Sequence, residues 1–203
     1  MLGRGAAVSM KLNLGCGNHV YKDFTGVDRY PCAGARVLCD LTGTLPFRDG
    51  SVDEMLLQHV VEHILDISAL MREVVRIGKP GARVRVVTPH FSSLGSWKDP
   101  THIHHLSYFS MDHFEKPSAA HYTGGGLAVE ARRLSFGHNL LGAVGRLLFR
   151  WSPLHYEKHF CFVFRARSLE FELRVIKNAQ EGVRTGSRPS TPTLADGTGT
   201  VRG

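Results

Sequence analysis

Apolar residues in the first ninety positions fall into short runs, each closed by a turn residue. Met10, Leu12 and Leu14 alternate with Lys11 and Asn13, a spacing of two that predicts a strand running into Gly15-Cys16-Gly17. Phe24–Val27 predicts a second strand ending at Asp28. Ala35–Cys39 predicts a third ending at Asp40, and Glu54–Gln58 a fourth. The period then changes. Ile67, Leu70, Met71, Val74 and Val75 are spaced by threes and fours, which predicts a helix over Asp66–Ile77, stopped by Gly78 and Pro80-Gly81. Ala82–Thr88 is a β-branched strand closed by Pro89. Between Gly17 and Asp28 there is room for one helical turn, at Val20–Asp23. Later strands are expected at Ala128–Phe136 and Leu169–Ile176, with an amphipathic or wholly apolar helix at Asn139–Trp151 between them. From Gln180 onward Gly, Ser, Thr, Pro and Arg dominate and little can be buried, which predicts a disordered tail. The expected division is an N-terminal extension over 1–9, one α/β domain over 10–178 and the tail over 179–203.

Composition narrows the function classes. Of 203 residues, 42% are hydrophobic and 21% charged, enough for one real core. No apolar run is long enough to span a bilayer, and the first ten residues lack a secretory signal, so a cytoplasmic protein is expected. Cys16, Cys32, Cys39 and Cys161 form no Cys-x-x-Cys pair, which argues against a thiolate zinc site and a disulfide framework. The net charge of +7 leaves nucleic acid open as a partner on charge alone, since no nucleic-acid-binding module is recognisable.

The chemistry concentrates at the predicted strand ends. Glycines at 15 and 17 allow a tight turn whose bare backbone a ligand can approach, and amides after such a turn suit a carboxylate. Asp28 stands where a carboxylate can accept from two ribose hydroxyls. Asp40 beside Leu41 offers an acceptor and an apolar surface to an adenine ring. Val20 occupies the place of the third glycine of a dinucleotide fingerprint, and the span to Asp28 is short, so a pyrophosphate cofactor such as NAD is disfavoured.

With these residues in view, the segment from 11 to about 116 resembles the core of class I S-adenosylmethionine-dependent methyltransferases. The matching pieces are LNLGCGN at 12–18, FTGVDRYP at 24–31, LCDLTGTLPFRDGSVDEMLLQHVVEHI at 38–64 and KPGARVRVVTP at 79–89. The resemblance implies an α/β fold with a Rossmann-like, mostly parallel sheet of about seven strands and flanking helices. It implies S-adenosyl-L-methionine as cofactor, with Gly15, Cys16, Gly17 and Asn18 at its methionine part and Asp28 and Arg29 at its ribose. Asp40 and Leu41 fall at its adenine, and Gln58 and His59 beneath it. It departs from the family at Asn13, where many members carry an acidic residue. The expected reaction is methyl transfer to oxygen or nitrogen of a small-molecule, sugar or lipid-linked acceptor.

Histidines supply the candidate acceptor-side chemistry. His59-Val-Val-Glu-His63 matches the H-x-x-E-H pattern of zinc hydrolases, but it follows a strand directly and Val60-Val61 suits a long helix poorly. No metal is therefore expected. Instead Glu62 and His63 should open the helix near the active-site mouth. His90 and the Asp99-Pro-Thr-His-Ile-His-His105 loop follow the fifth strand, and His102 is the first candidate for a base, ahead of His104 and His105. The candidate catalytic set is His102, His90, Glu62 and His63. The alternatives are a non-catalytic S-adenosylmethionine-binding regulatory or RNA-associated protein and, behind it, the zinc hydrolase.

Overall fold

The computed structural model describes residues 9–115 and 117–177. The proposed tail and nearly all of the proposed N-terminal extension lie outside the described residues. Seven strands form one sheet in the order β3-β2-β1-β4-β5-β7-β6. They are β1 (Lys11–Leu14), β2 (Thr25–Asp28), β3 (Ala35–Leu38), β4 (Val52–Gln58), β5 (Gly78–Pro89), β6 (Leu127–Phe136) and β7 (Ala166–Val175). The first five pair in parallel, whereas β7 runs antiparallel to both β5 and β6. The order reverses between β1 and β4. Open α/β sheets place ligands at the carboxyl ends beside such a switch.

Helix α1 (Ile67–Ile77) forms because its apolar stripe can be buried: Leu70, Met71, Val74 and Ile77 are inaccessible. Asp66 caps it by accepting from the Ala69 amide at 2.8 Å. The stripe joins Leu12, Leu14, Met55, Leu57, Val84, Val86, Leu169 and Phe171 in one core. Short helices α2 (Leu94–Trp97) and α3 (Ala120–Thr123) follow β5. Helix α4 (Leu140–Trp151), capped by Asn139, then packs with α5 (Pro153–His155) and a wide turn at Tyr156–Phe160. Phe136, Tyr156, Cys161 and Ala166 make a second, smaller core there.

Two expectations need correction, and a third, the flanking helices, holds with a refinement. No helical turn forms at Val20–Asp23. The link is a turn in which Asp23 has a φ of 72°, because ten residues must carry the chain between adjacent parallel strands and leave no length for a packed helix. The strand after α1 begins at Gly78 rather than Ala82. Val52 pairs with Gly78 and Glu54 with Arg83, so the Pro80-Gly81 turn is a bulge inside the ladder, with Gly81 at φ 80°. The helices also flank the sheet unequally. The links after β1, β2 and β3 contain no helix, and the face opposite α1 carries charge in place of packing. Arg83 and Arg85 alternate with buried Val84 and Val86. Lys11 pairs with Glu54 at 2.9 Å, Arg85 with Glu170 at 2.7 Å and Arg133 with Glu170 at 3.2 Å. Exposed pairs contribute about 0–1 kcal/mol each, so they keep this face soluble more than they hold it together.

Candidate active site

The carboxyl ends of β1, β2 and β3 bring the glycine turn and both aspartates together. The Gly17 amide donates to Asp28 Oδ2 at 2.8 Å, and the Tyr30 amide donates to Asp28 Oδ1 at 3.1 Å. Arg29 Nε lies 3.5 Å from Asp40 Oδ2. Asp40 Oδ1 accepts from the Thr42 amide at 2.9 Å and from its hydroxyl at 2.8 Å, and these bonds hold the Asp40 carboxyl below its usual range, with Arg29 a smaller contributor. Both Asp28 oxygens and Asp40 Oδ2 retain a lone pair for a ligand hydroxyl, whereas both sites of Asp40 Oδ1 are taken by Thr42.

The loop geometry depends on glycines. Gly15 and Gly17 sit at φ 70° and 51°, conformations an L side chain rarely adopts. A Cβ on Gly15 would meet Val60 Cγ2 at 2.4 Å, whereas one on Gly17 would meet nothing within 4 Å. The inner side of the turn is therefore filled by Val60, and its outer side is bare backbone open to a ligand, which fits an adenosine bearing an amino-acid tail. The amides at 15 and 16 are not free for a carboxylate, as the sequence suggested: both donate to Val27 O, at 2.8 and 3.1 Å. Asn18 works structurally, its Oδ1 accepting from the Ala33 amide at 3.2 Å. Leu41 is buried in the core, so its side chain does not present a surface to a ring.

Two glycines that the motif reading passed over complete this half. A Cβ on Gly26 would lie 1.9 Å from Gly34 O, and one on Gly34 would lie 2.6 Å from Gly17 O. The β2–β3 loop therefore packs backbone to backbone on the β1 turn, and the Gly34 amide donates to Gly17 O at 3.1 Å. Their spacing in sequence matches no fingerprint; only the contact reveals them. Beneath them Cys16 is buried, and desolvation first, with Cys32 next, pushes its thiol up to about 11, so it stays protonated and unreactive near neutrality.

The other half follows β4. Gln58 turns to the charged sheet face, where Tyr21 donates to its Oε1 at 2.6 Å, and so lies away from the crevice. His59 has a φ of 56° and begins a turn, not a helix. The hydrolase arrangement, with His59 and His63 on one helix, is absent. Val61–His63 is a single 3-10 turn in which Glu62 is buried. His59 Nδ1 lies 3.1 Å from Glu62 Oε1, and that bond, against the effect of burial, raises the His59 pKa. Glu62 Oε2 accepts from the Thr88 hydroxyl at 3.1 Å, and its carbonyl accepts from the Ile103 and His104 amides at 2.9 and 3.2 Å. Glu62 thereby fastens the 99–105 loop onto β4 and β5.

His63 and His102 meet there, ring centroids 4.6 Å apart. The Thr101 hydroxyl donates to Asp99 Oδ1 at 2.7 Å, so it can only accept from His63 Nδ1, 3.0 Å away. That fixes the Nδ1-protonated tautomer of His63 and leaves Nε2 with a lone pair. His102 Nδ1 faces the Ser96 carbonyl at 3.1 Å, with the same consequence. Bonds from Thr101 lower the Asp99 pKa. Glu62, His63 and His102 each bring one potential donor atom within 4.8 Å of the others, a set that could hold a divalent ion. His90 drops out of the candidates. It is fully buried, with Nδ1 2.8 Å from Ser92 Oγ and Nε2 2.9 Å from Glu157 Oε1, so no acceptor reaches it.

Beyond His59 opens a cavity of about 1030 Å³ bordered by Leu94, Lys98, Leu141, Phe162 and Arg165. It lies on the far side of β4 from the glycine turn, and none of Gly15, Gly17, Asp28 or Asp40 lines it.

A family model described as a methyltransferase domain matches residues 12–86. An uncharacterized methyltransferase of Mycobacterium sp. (strain JLS) is 31% identical over 117 residues, 58% of this chain, and the match spans 40% of the length of that relative. A SAM-dependent methyltransferase from Archaeoglobus fulgidus aligns with a TM-score of 0.56 at 18% identity, over 82% of this chain and 86% of that one. One from Mesorhizobium loti aligns with a TM-score of 0.51 at 16% identity, over 82% and 92%. The parallel sheet with its antiparallel β7 has the Rossmann-like fold of these methyltransferase structures, and the glycine turn lies within the 12–86 segment that matches the methyltransferase-domain model.

Proposed function

We propose that this protein transfers the methyl group of S-adenosyl-L-methionine to an oxygen or nitrogen of an acceptor held on the β4–β5 side of the sheet. The observation that carries this reading is the Gly17–Asp28 contact at 2.8 Å, with Asp40 alongside, at three adjacent strand ends. Asp28 would accept from the ribose, Asp40 would face the adenine end, and the bare turn at Gly17 would run along the methionine part.

When bound, the cofactor would supply an electrophilic methyl on a cationic sulfur, and because its leaving group would be a neutral thioether the chain need provide no acid. The chain's contribution is alignment, exclusion of water and removal of the acceptor's proton. Val60 touches Gly15, so the His59–His63 turn adjoins the cofactor turn. His63 Nε2 is the proposed proton acceptor, with Thr101 and Asp99 as positioning residues that fix its tautomer. His102 packs edge-on against it and is the second candidate. Glu62, buried and bonded, positions the loop rather than taking the proton. A small-molecule, sugar or lipid-linked acceptor suits the cavity beyond His59, whose border mixes Leu94, Leu141 and Phe162 with Lys98, Arg165 and Arg167. No helix among the described residues is long and apolar enough to cross a membrane, and an intracellular location belongs to the same proposal.

The test is transfer of a tritiated methyl group from the cofactor to an extract of the source organism, separated afterwards into aqueous and lipid phases. Label should enter one phase with wild type. It should fall at least tenfold with His63→Gln. Cofactor binding without transfer to any fraction would favour a non-catalytic binder and overturn the proposal.

A further inference from the structure

Helix α4 is built inside out. Its small residues, Gly142 and Gly145, face the protein, and a Cβ on Gly145 would already meet Phe136 at 2.8 Å. Its large apolar residues face solvent. Leu140, Leu147 and Trp151 lie on one stripe, and their relative exposures are 79%, 69% and 71%. Spacing of seven and four puts them on one side of a helix. Just after the helix, Phe162 and Val163 are exposed by 61% and 63%. Isolated exposed leucines need no explanation, but a stripe of this kind marks a surface that is covered in use.

Charge says by what. From Gly137 to Ser168 the basic residues are Arg146, Arg150, Lys158, Arg165 and Arg167, and the single acid is Glu157. That acid is turned inward, accepting from His90 Nε2 at 2.9 Å and from the Tyr108 amide at 2.6 Å. The outward charge of the segment is therefore wholly cationic. Arg146 and Arg150 flank the apolar stripe on one side, with a tryptophan at its end, as in helices that lie in an anionic bilayer interface. A second copy of this chain is the poorer occupant, because a two-fold contact through this stripe would set arginines against arginines. The helix has 12 residues, about 18 Å in length, too short to span about 30 Å of hydrocarbon. It can only lie along the surface.

We infer that α4 and the Phe162–Val163 turn seat this protein on the surface of an anionic phospholipid bilayer. Leu140, Leu147 and Trp151 enter the acyl boundary, and Arg146 and Arg150 meet the phosphates. The cavity of about 1030 Å³ shares Leu141, Phe162 and Val163 with this surface, so it opens beside the membrane. The inference stands on α4 and the Phe162–Val163 turn and does not require the methyltransferase reading.

The test is flotation of the full chain with vesicles of phosphatidylglycerol and phosphatidylcholine against vesicles of phosphatidylcholine alone. The anionic vesicles should bind at least tenfold more protein, with less bound in high salt. The double variant Leu147→Glu/Trp151→Glu should lose at least tenfold, and Arg146→Gln/Arg150→Gln should lose the preference for the anionic lipid. Leu147, Arg150 and Trp151 are exposed, and Arg146 donates to the Gly137 carbonyl at 3.0 Å, so melting temperature should change little and cofactor binding should be unchanged, and any failure of the methyltransferase reading would show separately. Absence of wild-type binding, or binding that survives Leu147→Glu/Trp151→Glu, would overturn the inference. So would light scattering that shows a dimer dissolved by that variant without any vesicle binding.

Discussion

The two halves of the site are held by different kinds of contact. On the proposed adenosine side, backbone meets backbone, Gly26 against Gly34 and Gly34 against Gly17, with the Asp28 carboxylate accepting from the Gly17 amide. On the acceptor side, side chains hold side chains: Asp99 to Thr101 to His63, with Glu62 fastening the loop through its carbonyl and carboxylate. The glycine contacts cannot be loosened without moving the chain, so at Gly26 and Gly34 stability and binding should fail together. Contacts of the second kind can be cut one at a time, so there chemistry should change with little loss of stability.

The largest expected effect is on the adenosine side. Gly26→Ala forces a Cβ to within 1.9 Å of a carbonyl that cannot swing away. It should cost about 3 kcal/mol, or about 6–12 °C in melting temperature by calorimetry. An unchanged melting temperature would break the comparison at its strongest point. Asp40→Asn removes the anion but keeps an acceptor, and should weaken cofactor binding about tenfold in a titration while the fold stays intact. On the acceptor side, Thr101→Val should cost only about 1 kcal/mol, or about 2–4 °C. It should leave cofactor affinity within about twofold, yet release His63 from its single tautomer, visible in the nitrogen shifts of its ring by NMR.

The smallest effect concerns the anchoring of the segment that carries Asp40. Glu73 accepts from the Leu45 amide at 2.7 Å and is held below the usual carboxylate range, chiefly by its bond to Arg76. A carboxyl depressed in the folded state contributes stability above its unfolded pKa of about 4.3 and loses it as pH falls through the folded value. Glu73→Gln should therefore flatten the acid limb of a melting-temperature profile, with little other change in its shape.

The same difference explains what the sequence revealed. The strands and α1 were legible because burial imposes their periods, and the juxtaposition of Gly15, Gly17, Asp28 and Asp40 at adjacent strand ends because a backbone turn and strand-end carboxylates leave a local signature. The failures were non-local. Gly26 and Gly34 matter through a contact between two loops. His90 resembled an active-site histidine until Glu157, 67 residues away, proved to be its partner. Gln58 carries a binding residue's position but the wrong face of a strand, and only Tyr21 shows it. The charged sheet face was unforeseen because strand patterning reports burial on one side without saying what covers the other.

The central claim is that the ends of β1, β2 and β3 form the adenosine site around Asp28. Titration calorimetry of S-adenosyl-L-methionine into wild type and into Asp28→Ala tests it most directly. One equivalent should bind wild type, and the variant, having lost the acceptor of both the Gly17 and Tyr30 amides, should bind at least about a hundredfold more weakly. Equal binding by the two proteins, or none by wild type, would contradict the account.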